Sequence, residues 1–343
     1  MKKRMMALLL SGVLAISMFA GCGSNLDKTA TVATLGDTKV SLGVANFAVR
    51  LQQAQYDDFY TMYFGEEVWK TDLYGYGTTL EDDLKSGVLQ GLNAMYAMKA
   101  NMAEYGVEIT AEDKAAISAA ADKFISSNSA EAVKALGAEK EYVEEYLELL
   151  TIDAKMNAEI IKGADTKVTD EEANMSAYSY VRVSRTTYTD ADGKSVNHTE
   201  ETLAELAKTM DTFMKAVETD GLDAAAKASE YTVYEGTFNE KSTDIVGDVL
   251  SVLLTLEEGE VSELIQTDSQ YYVVRLDAKT DKDATETNRQ NIIAERQQAL
   301  YTEVVEGFMD ELTWKVNESV WAKVSFKNLF TIVESSTELT TEE

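Results

Sequence analysis

The 343-residue sequence contains no proline, one cysteine and one histidine. A single cysteine excludes an internal disulfide, so stability must come from packing. With one histidine and no clustered carboxylates, a zinc or haem site is not expected and no cofactor is predicted. The absence of proline also frees the chain's own folding from slow X-Pro isomerisation.

Basic residues are scarce. The chain has 31 Lys and Arg against 60 Asp and Glu, which gives a formal net charge of −29. Such a chain repels phosphate backbones and anionic headgroups, so neither nucleic acid nor a bare anionic lipid surface is an expected partner. The simplest interpretation of the excess acidity is a well-solvated surface.

The N-terminus has the features of an export signal. Basic residues 2–4 precede an apolar run at 5–20, which is shorter than a membrane-spanning helix needs. The run ends in Phe-Ala-Gly-Cys, and this resembles the Leu-(Ala/Ser)-(Gly/Ala)-Cys box of bacterial lipoproteins, with Phe19 in place of the usual Leu. We therefore predict a lipoprotein signal peptide at 1–21 and a lipid on Cys22 that anchors the protein outside the cytoplasm. The alternative is a plain secretory signal with an incidental cysteine.

The N-terminal half is predicted to be nearly all helix. A small hairpin at 31–40 precedes a helix that Ser41 caps, and an amphipathic helix starts near Leu80 and ends at Gly106. Residues 110–113 resemble a capping box, and a further striped helix covers 139–162.

From Tyr178 the apolar period becomes strand-like, and residues 271–276 are typical of a buried strand. A last helix, predicted at 283–314, carries an apolar face that needs a partner. We expect the two ends of the chain to pack together, and the fold class to be α+β with a compact α+β insert between them.

Four motifs, in this order, resemble the PrsA-type extracellular foldases and their SurA-type periplasmic relatives. They are the opening hairpin at 36–41, the Gly-Val-x-Ile-Thr joint at 106–113, the approach at 168–172, and the Gly-Glu-Val-Ser turn at 259–262 with the strand 271–274. The resemblance implies a helical chaperone domain with an inserted parvulin-like (PpiC-type) rotamase domain.

The resemblance gives the following organisation. A signal peptide (1–21) and a tether (22–30) precede a helical SurA-N-like domain (31–167), a parvulin-like domain (176–280), a C-terminal helix that completes the helical domain (283–334) and a disordered tail (335–343). It also implies unfolded or newly exported polypeptides as partners, attachment to the bacterial cell membrane through Cys22, and a possible homodimer.

Parvulins use two histidines and a third polar group around the twisting amide. By resemblance, Tyr180 and Tyr272 occupy the histidine positions, and no Cys or Asp in 229–238 supplies the third group. Ile245 and Leu254 align with the proline pocket, although both are equally well explained as core residues. The resemblance therefore predicts a rotamase domain with weak or no activity, and assigns no metal site.

The sequence thus favours a membrane-anchored extracytoplasmic chaperone. One alternative is an active prolyl isomerase in which tyrosine hydroxyls replace the histidines. Another is a solute-binding or structural surface lipoprotein. A solute receptor needs a deep cleft with convergent polar groups, whereas a chaperone needs a broad, shallow apolar surface, which the 13 Met and 17 Tyr are able to provide.

Overall fold

The computed structural model describes residues 15–18 and 26–333. The α-helices are α1 (Leu42–Phe64), α2 (Leu80–Asn101), α3 (Ala111–Ser126), α4 (Ala130–Leu136), α5 (Lys140–Ile160), α6 (Asp170–Ala173), α7 (Glu200–Asp220), α8 (Leu222–Ala228), α9 (Gly247–Leu253), α10 (Lys282–Glu311) and α11 (Glu318–Trp321). The strands are β1 (Ala15–Met18), β2 (Thr31–Leu35), β3 (Thr38–Ser41), β4 (Ser176–Ser184), β5 (Thr187–Thr189), β6 (Ser195–Asn197), β7 (Tyr234–Phe238), β8 (Ile265–Gln266), β9 (Gln270–Ala278), β10 (Trp314–Val316) and β11 (Phe330–Val333). Short 3₁₀ turns cover Val68–Lys70, Met102–Tyr105 and Ile161–Gly163.

The chain forms two compact units. The first combines residues up to 164 with residues from 297 onward, and the second is the continuous segment 165–296. The first unit is mostly helical, and the second contains a four-stranded sheet with helices. The predicted fold class, an α+β protein whose helical domain is built from both ends of the chain, is confirmed.

Local sequence signals account for the start of the first unit. Gly36 has a φ of 54°, which suits glycine, and it turns the β2–β3 hairpin where the sequence predicts. The Ser41 hydroxyl accepts a hydrogen bond from the Val44 N–H and begins α1. Thr110 and Asp113 form the predicted capping box of α3.

The C-terminal residues complete the core of this unit. Val305 and Phe308 on α10 are buried in the same apolar cluster as the N-terminal helices, and the Phe308 ring lies 5.9 Å from that of Tyr105. Tyr301 donates a hydrogen bond to Asp153 of α5. The prediction that both chain ends share one core is confirmed.

The last helix is shorter than predicted. It ends at Glu311 and not near Trp314. Trp314 begins β10, which pairs with Leu35 and its neighbours on β2. This distant pairing overrides the apolar helical pattern in 283–314. The sequence predicts one C-terminal helix up to residue 334. In the structure, residues 318–333 instead contain the short helix α11 and the strand β11.

The second unit is organised around an antiparallel sheet of order β7-β4-β9-β8. Side chains of a strand alternate between faces. Val181 and Val273 pack with α7 and α8 on one face, whereas Val274 and Leu276 pack with α9 on the other. Between β4 and α7, strand β6 pairs with β5 to form a small hairpin.

Within the described residues, no helix has both the length and the apolar composition needed to cross a membrane. Cys22, most of the predicted signal peptide and the predicted tail at 335–343 lie outside those residues. Residues 15–18, from the apolar run of the predicted leader, form β1.

Candidate functional site

Four tyrosines share one face of the second unit's sheet. We call Tyr178, Tyr180, Tyr234 and Tyr272 the tyrosine cluster. Tyr180 lies at its centre, because its ring centroid is 5.4 Å from that of Tyr178, 5.2 Å from Tyr234 and 6.4 Å from Tyr272. Strand register explains the arrangement, since Tyr180 is directly opposite Tyr234 on β7 and β4 is hydrogen-bonded to β9.

The surroundings of Tyr178 favour its neutral phenol. Burial, with smaller effects from Tyr180, Asp244 and Tyr272, raises the pKa of Tyr178 to about 12. The guanidinium carbon of Arg182 lies 5.0 Å from the centroid of the Tyr234 ring, a cation–π contact. A neutral phenol stacks on apolar groups and forms hydrogen bonds, but it exchanges protons poorly at neutral pH. The cluster is therefore suited to binding.

The structure brings Tyr180 and Tyr272, the tyrosines that the resemblance places at the family's two histidine positions, together on this face. His198 lies elsewhere, with its ring 4.8 Å from that of Tyr188 and its Nδ1 atom 3.1 Å from the Thr202 hydroxyl. None of the contacts described for His198 involves the tyrosine cluster. Asp244, whose charge contributes to the raised pKa of Tyr178, lies outside the 229–238 stretch where the family resemblance places a polar group.

Ile245 and Leu254 lie in different surroundings. Ile245 is half-buried and packs in the same apolar cluster as Tyr180 and Tyr272. Leu254 follows the end of α9 and is 54% exposed, so it is not a core residue. It lines a separate cavity of about 250 Å³.

Seven of the nine residues that line this cavity are polar or charged. Its lining residues are Glu171, Glu172, Asn174, Ser176, Phe238, Asn239, Glu240, Lys241 and Leu254. Its volume is below the roughly 300 Å³ at which small-molecule sites begin. Among the described residues, no group of three or more His, Cys, Asp or Glu is arranged to hold a metal ion.

The first unit carries a large exposed aromatic surface. We call the seven exposed side chains at the end of α1 and in the loop after it the aromatic patch. Its members are Tyr56, Phe59, Met62, Tyr63, Phe64, Tyr74 and Tyr76. Met62 is 74% exposed and Tyr76 is 81% exposed. Exposed apolar side chains in such a group indicate an interaction surface.

Tyr60 connects the helical and loop parts of the patch. Its hydroxyl lies 3.3 Å from that of Tyr74, and its ring packs at 5.5 Å against Trp69. The Asp72 carboxylate accepts hydrogen bonds from the N–H groups of Tyr76 and Gly77, at 3.0 and 2.8 Å, and this shapes the loop. The patch is therefore held by local hydrogen bonds and ring contacts while its outer side chains remain exposed.

Sequence reasoning missed most of these residues. Tyr56 follows the helical spacing of apolar residues in α1, but its side chain is 42% exposed. The sequence signal for this surface was the dense run of aromatic residues between 56 and 76. Their helical spacing is equally compatible with a buried core. Tyr234 was missed because only strand pairing places it beside Tyr180.

Residues 168–288 match the family model Rotamase_2, the PPIC-type PPIASE domain. The matched residues lie within the second unit, where the resemblance implies an inserted parvulin-like domain. No curated protein is similar enough to this chain to be identified as a relative.

Three solved structures, of foldase, isomerase or chaperone proteins, are similar to between 64% and 85% of this chain. The foldase PrsA from Lactococcus lactis is 14% identical, with 85% of this chain and 97% of that chain covered and a TM-score of 0.34. The peptidylprolyl isomerase PrsA from Bacillus anthracis is 18% identical, with 64% and 96% covered and a TM-score of 0.28. A structure from Campylobacter jejuni, from work on the SurA-like chaperones PEB4 and Cj1289, is 10% identical, with 84% and 99% covered and a TM-score of 0.28. These likenesses are too distant to assign an activity to this chain.

Proposed function

We propose that this protein is a membrane-anchored extracytoplasmic chaperone that holds unfolded or newly exported polypeptides. The aromatic patch is the observation that carries the proposal. Aromatic and methionine side chains bind varied apolar segments at low conformational cost, which suits a protein with many clients. Anchoring through the lipid on Cys22 is part of the proposal and rests on the N-terminal sequence.

The charge around the patch favours clients over membranes. Asp58, Glu66, Glu67 and Asp72 lie among or beside the aromatic residues in the chain, and the whole protein carries a charge of −29. An anionic membrane surface is repelled by this charge, whereas an unfolded chain that mixes apolar and basic residues is attracted. The occupant that fits the patch is therefore an unfolded polypeptide.

Within this proposal the PPIC-type domain binds chains with weak or no isomerase activity. The tyrosine cluster supplies stacking surfaces and hydroxyls, and the only histidine, His198, packs against Tyr188. The second candidate is an active prolyl isomerase, which the match of residues 168–288 to the PPIC-type model favours. In that function, the hydroxyls of Tyr180 and Tyr272 replace the histidines.

Aggregation of an unfolded reporter protein tests the chaperone proposal. The double variant Phe59→Ser and Tyr63→Ser should require about tenfold more chaperone for the same suppression, because two lost aromatic contacts of about 0.7 kcal/mol each change binding about tenfold. Tyr188→Ser, which removes an exposed tyrosine from the second unit, is the matched control and should suppress aggregation normally. Equal suppression by the wild type, the double variant and Tyr188→Ser would refute the proposal.

Isomerisation of a proline-containing tetrapeptide by the full chain separates the two candidates. We expect little acceleration, and no further change in Tyr180→Phe or Tyr272→Phe. Robust acceleration that either substitution abolishes would make the protein an isomerase whose hydroxyls take part in catalysis.

A further inference from the structure

Strand β11 is held along one of its edges by carboxylates. The N–H of Phe330 donates to Asp57 at 2.7 Å, and the N–H of Ile332 donates to Asp58 at 3.0 Å. Both aspartates project from α1. In an extended strand, successive N–H groups point to opposite edges, so the main-chain groups of Thr331 point to the other edge. Helix α1 therefore fixes one edge of β11, and the main-chain groups of Thr331 lie on the other edge.

That second edge is occupied by β1. The two strands pair antiparallel, with Ile16 opposite Ile332 and Ser17 opposite Thr331. Ile16 is only 3% exposed and belongs to the apolar core of the first unit, and its N–H donates to the Asn128 side-chain oxygen at 2.6 Å. β1 also packs against α4. We call the position filled by β1, between β11 and α4, the strand slot.

The occupant of the strand slot belongs to the predicted leader. Residues 15–18, Ala-Ile-Ser-Met, lie within the apolar run at 5–20. Removal of the leader at Cys22 takes this strand away, and it uncovers both the pocket of Ile16 and the main-chain groups of β11. An open strand edge beside an apolar pocket readily pairs with another extended chain.

The slot's occupant also indicates what replaces it. β1 is a short, uncharged, apolar segment from an export leader, and the leaders of other exported proteins have the same composition. Main-chain hydrogen bonds of a strand pair do not depend on sequence, while the pocket selects one apolar side chain.

We propose that in the processed protein the strand slot is a β-augmentation site for an extended, uncharged, apolar segment of an exported polypeptide. The protein's own leader fills the site before processing. This inference rests on the leader removal that the proposed function includes. The protein would then have two client sites. The aromatic patch is one, and the strand slot, which recognises the backbone and one apolar side chain, is the other.

Binding of a fluorescent peptide with the sequence of residues 13–20 tests the inference. The protein is the full chain, prepared both unprocessed and as the processed lipoprotein in detergent, with the N-terminus of each checked by mass spectrometry. We expect saturable binding to the processed form only. The peptide with Ile16→Asp should bind at least about tenfold more weakly, because a buried charge opposes binding.

Two protein variants locate the peptide in the strand slot. Thr331→Pro removes the N–H that faces β1 and should weaken binding, whereas Thr331→Val keeps that N–H and should bind normally. If Thr331→Pro does not fold, Asn128→Ala serves instead, because it removes the acceptor of the Ile16 N–H. Thermal melting of each variant shows whether it is folded.

Several results would overturn the inference. They are absence of saturable binding to the processed chain, equal affinity for the Ile16→Asp peptide, and binding that none of the slot variants changes.

Two results would assign the slot to another occupant. A processed dimer that dissociates on Thr331→Pro would assign it to a second copy, and peptide binding that appears only after removal of residues 335–343 would assign it to the tail. Aggregation suppression without peptide binding refutes this inference alone, whereas a leader still present in the exported protein refutes the processing on which both depend.

Discussion

Asp57 is a fully buried carboxylate at the centre of a polar network in the first unit. It accepts hydrogen bonds from the Trp69 indole at 2.6 Å, the Phe330 N–H at 2.7 Å and the Gln53 amide at 3.1 Å. Burial raises its pKa to about 6, although these hydrogen bonds and the charge of Arg50 lower it. Burial also lowers the pKa of Arg50 to about 10, against the charges of Asp57 and Glu81. The network joins α1 to the C-terminal strand β11.

The shifted pKa of Asp57 predicts a pH dependence of stability. The folded pKa of about 6 lies above the usual aspartate pKa of 3.8, so the folded state binds the proton more tightly than the unfolded state. The stabilisation is therefore fully present below about pH 4 and is lost as the pH rises through about 6, by up to about 3 kcal/mol at 1.36 kcal/mol per pKa unit.

Urea unfolding of the wild type and of Asp57→Asn checks this. The stability of the wild type relative to the variant should be greater near pH 4.5 than near pH 7.5. The same difference at both pH values would show that Asp57 does not titrate in this range.

The sequence predicted two of the four tyrosines in the tyrosine cluster. The resemblance placed Tyr180 and Tyr272 at the family's two histidine positions, and the pairing of β4 with β9 brings them together. It did not find Tyr178 or Tyr234, because stacking across β4 and β7 depends on register. It also grouped Ile245 with Leu254, which the structure places in different surroundings.

At the level of elements, local signals predicted the N-terminal hairpin and helices well. A glycine turn, a serine cap and a capping box each act within a few residues, so their sequence is sufficient. Strands β10 and β11 were missed because β10 pairs with β2, about 280 residues away in the chain, and β11 pairs with β1. The aromatic patch was missed because a helical apolar stripe does not reveal whether a partner covers it.

Helix α10 provides a test of the core shared by both chain ends. Phe308→Ala should lower the free energy of unfolding of the first unit by about 3 kcal/mol, since a buried aromatic ring is lost. Ala299→Asp, at an exposed position of the same helix, should lower it by less than about 1 kcal/mol. Urea unfolding measures both.

Deletion of residues 284–334 extends this test. It should unfold the N-terminal helices, because it uncovers the apolar core that Val305 and Phe308 close. Cooperative melting of the remaining N-terminal helices would contradict the shared core.

At the scale of the whole molecule, the proposed lipid anchor determines where the protein works. Cys22→Ala removes the only thiol, so the protein should be released from the membrane or incompletely processed. Cell fractionation with mass spectrometry of the N-terminus distinguishes these results from the wild type. A variant that stayed on the membrane with the wild-type processed mass would show that Cys22 is not the anchor.

The whole molecule combines an aromatic patch in the first unit with a tyrosine cluster in the second, whose residues match the PPIC-type model. If the patch holds unfolded clients, its side chains contact them. A photoreactive phenylalanine analogue at position 59 tests this, with the same analogue at position 188 as the control. We expect light-dependent adducts with an unfolded client at position 59, and few at position 188. Adducts absent from position 59, or equally abundant at both positions, would contradict it.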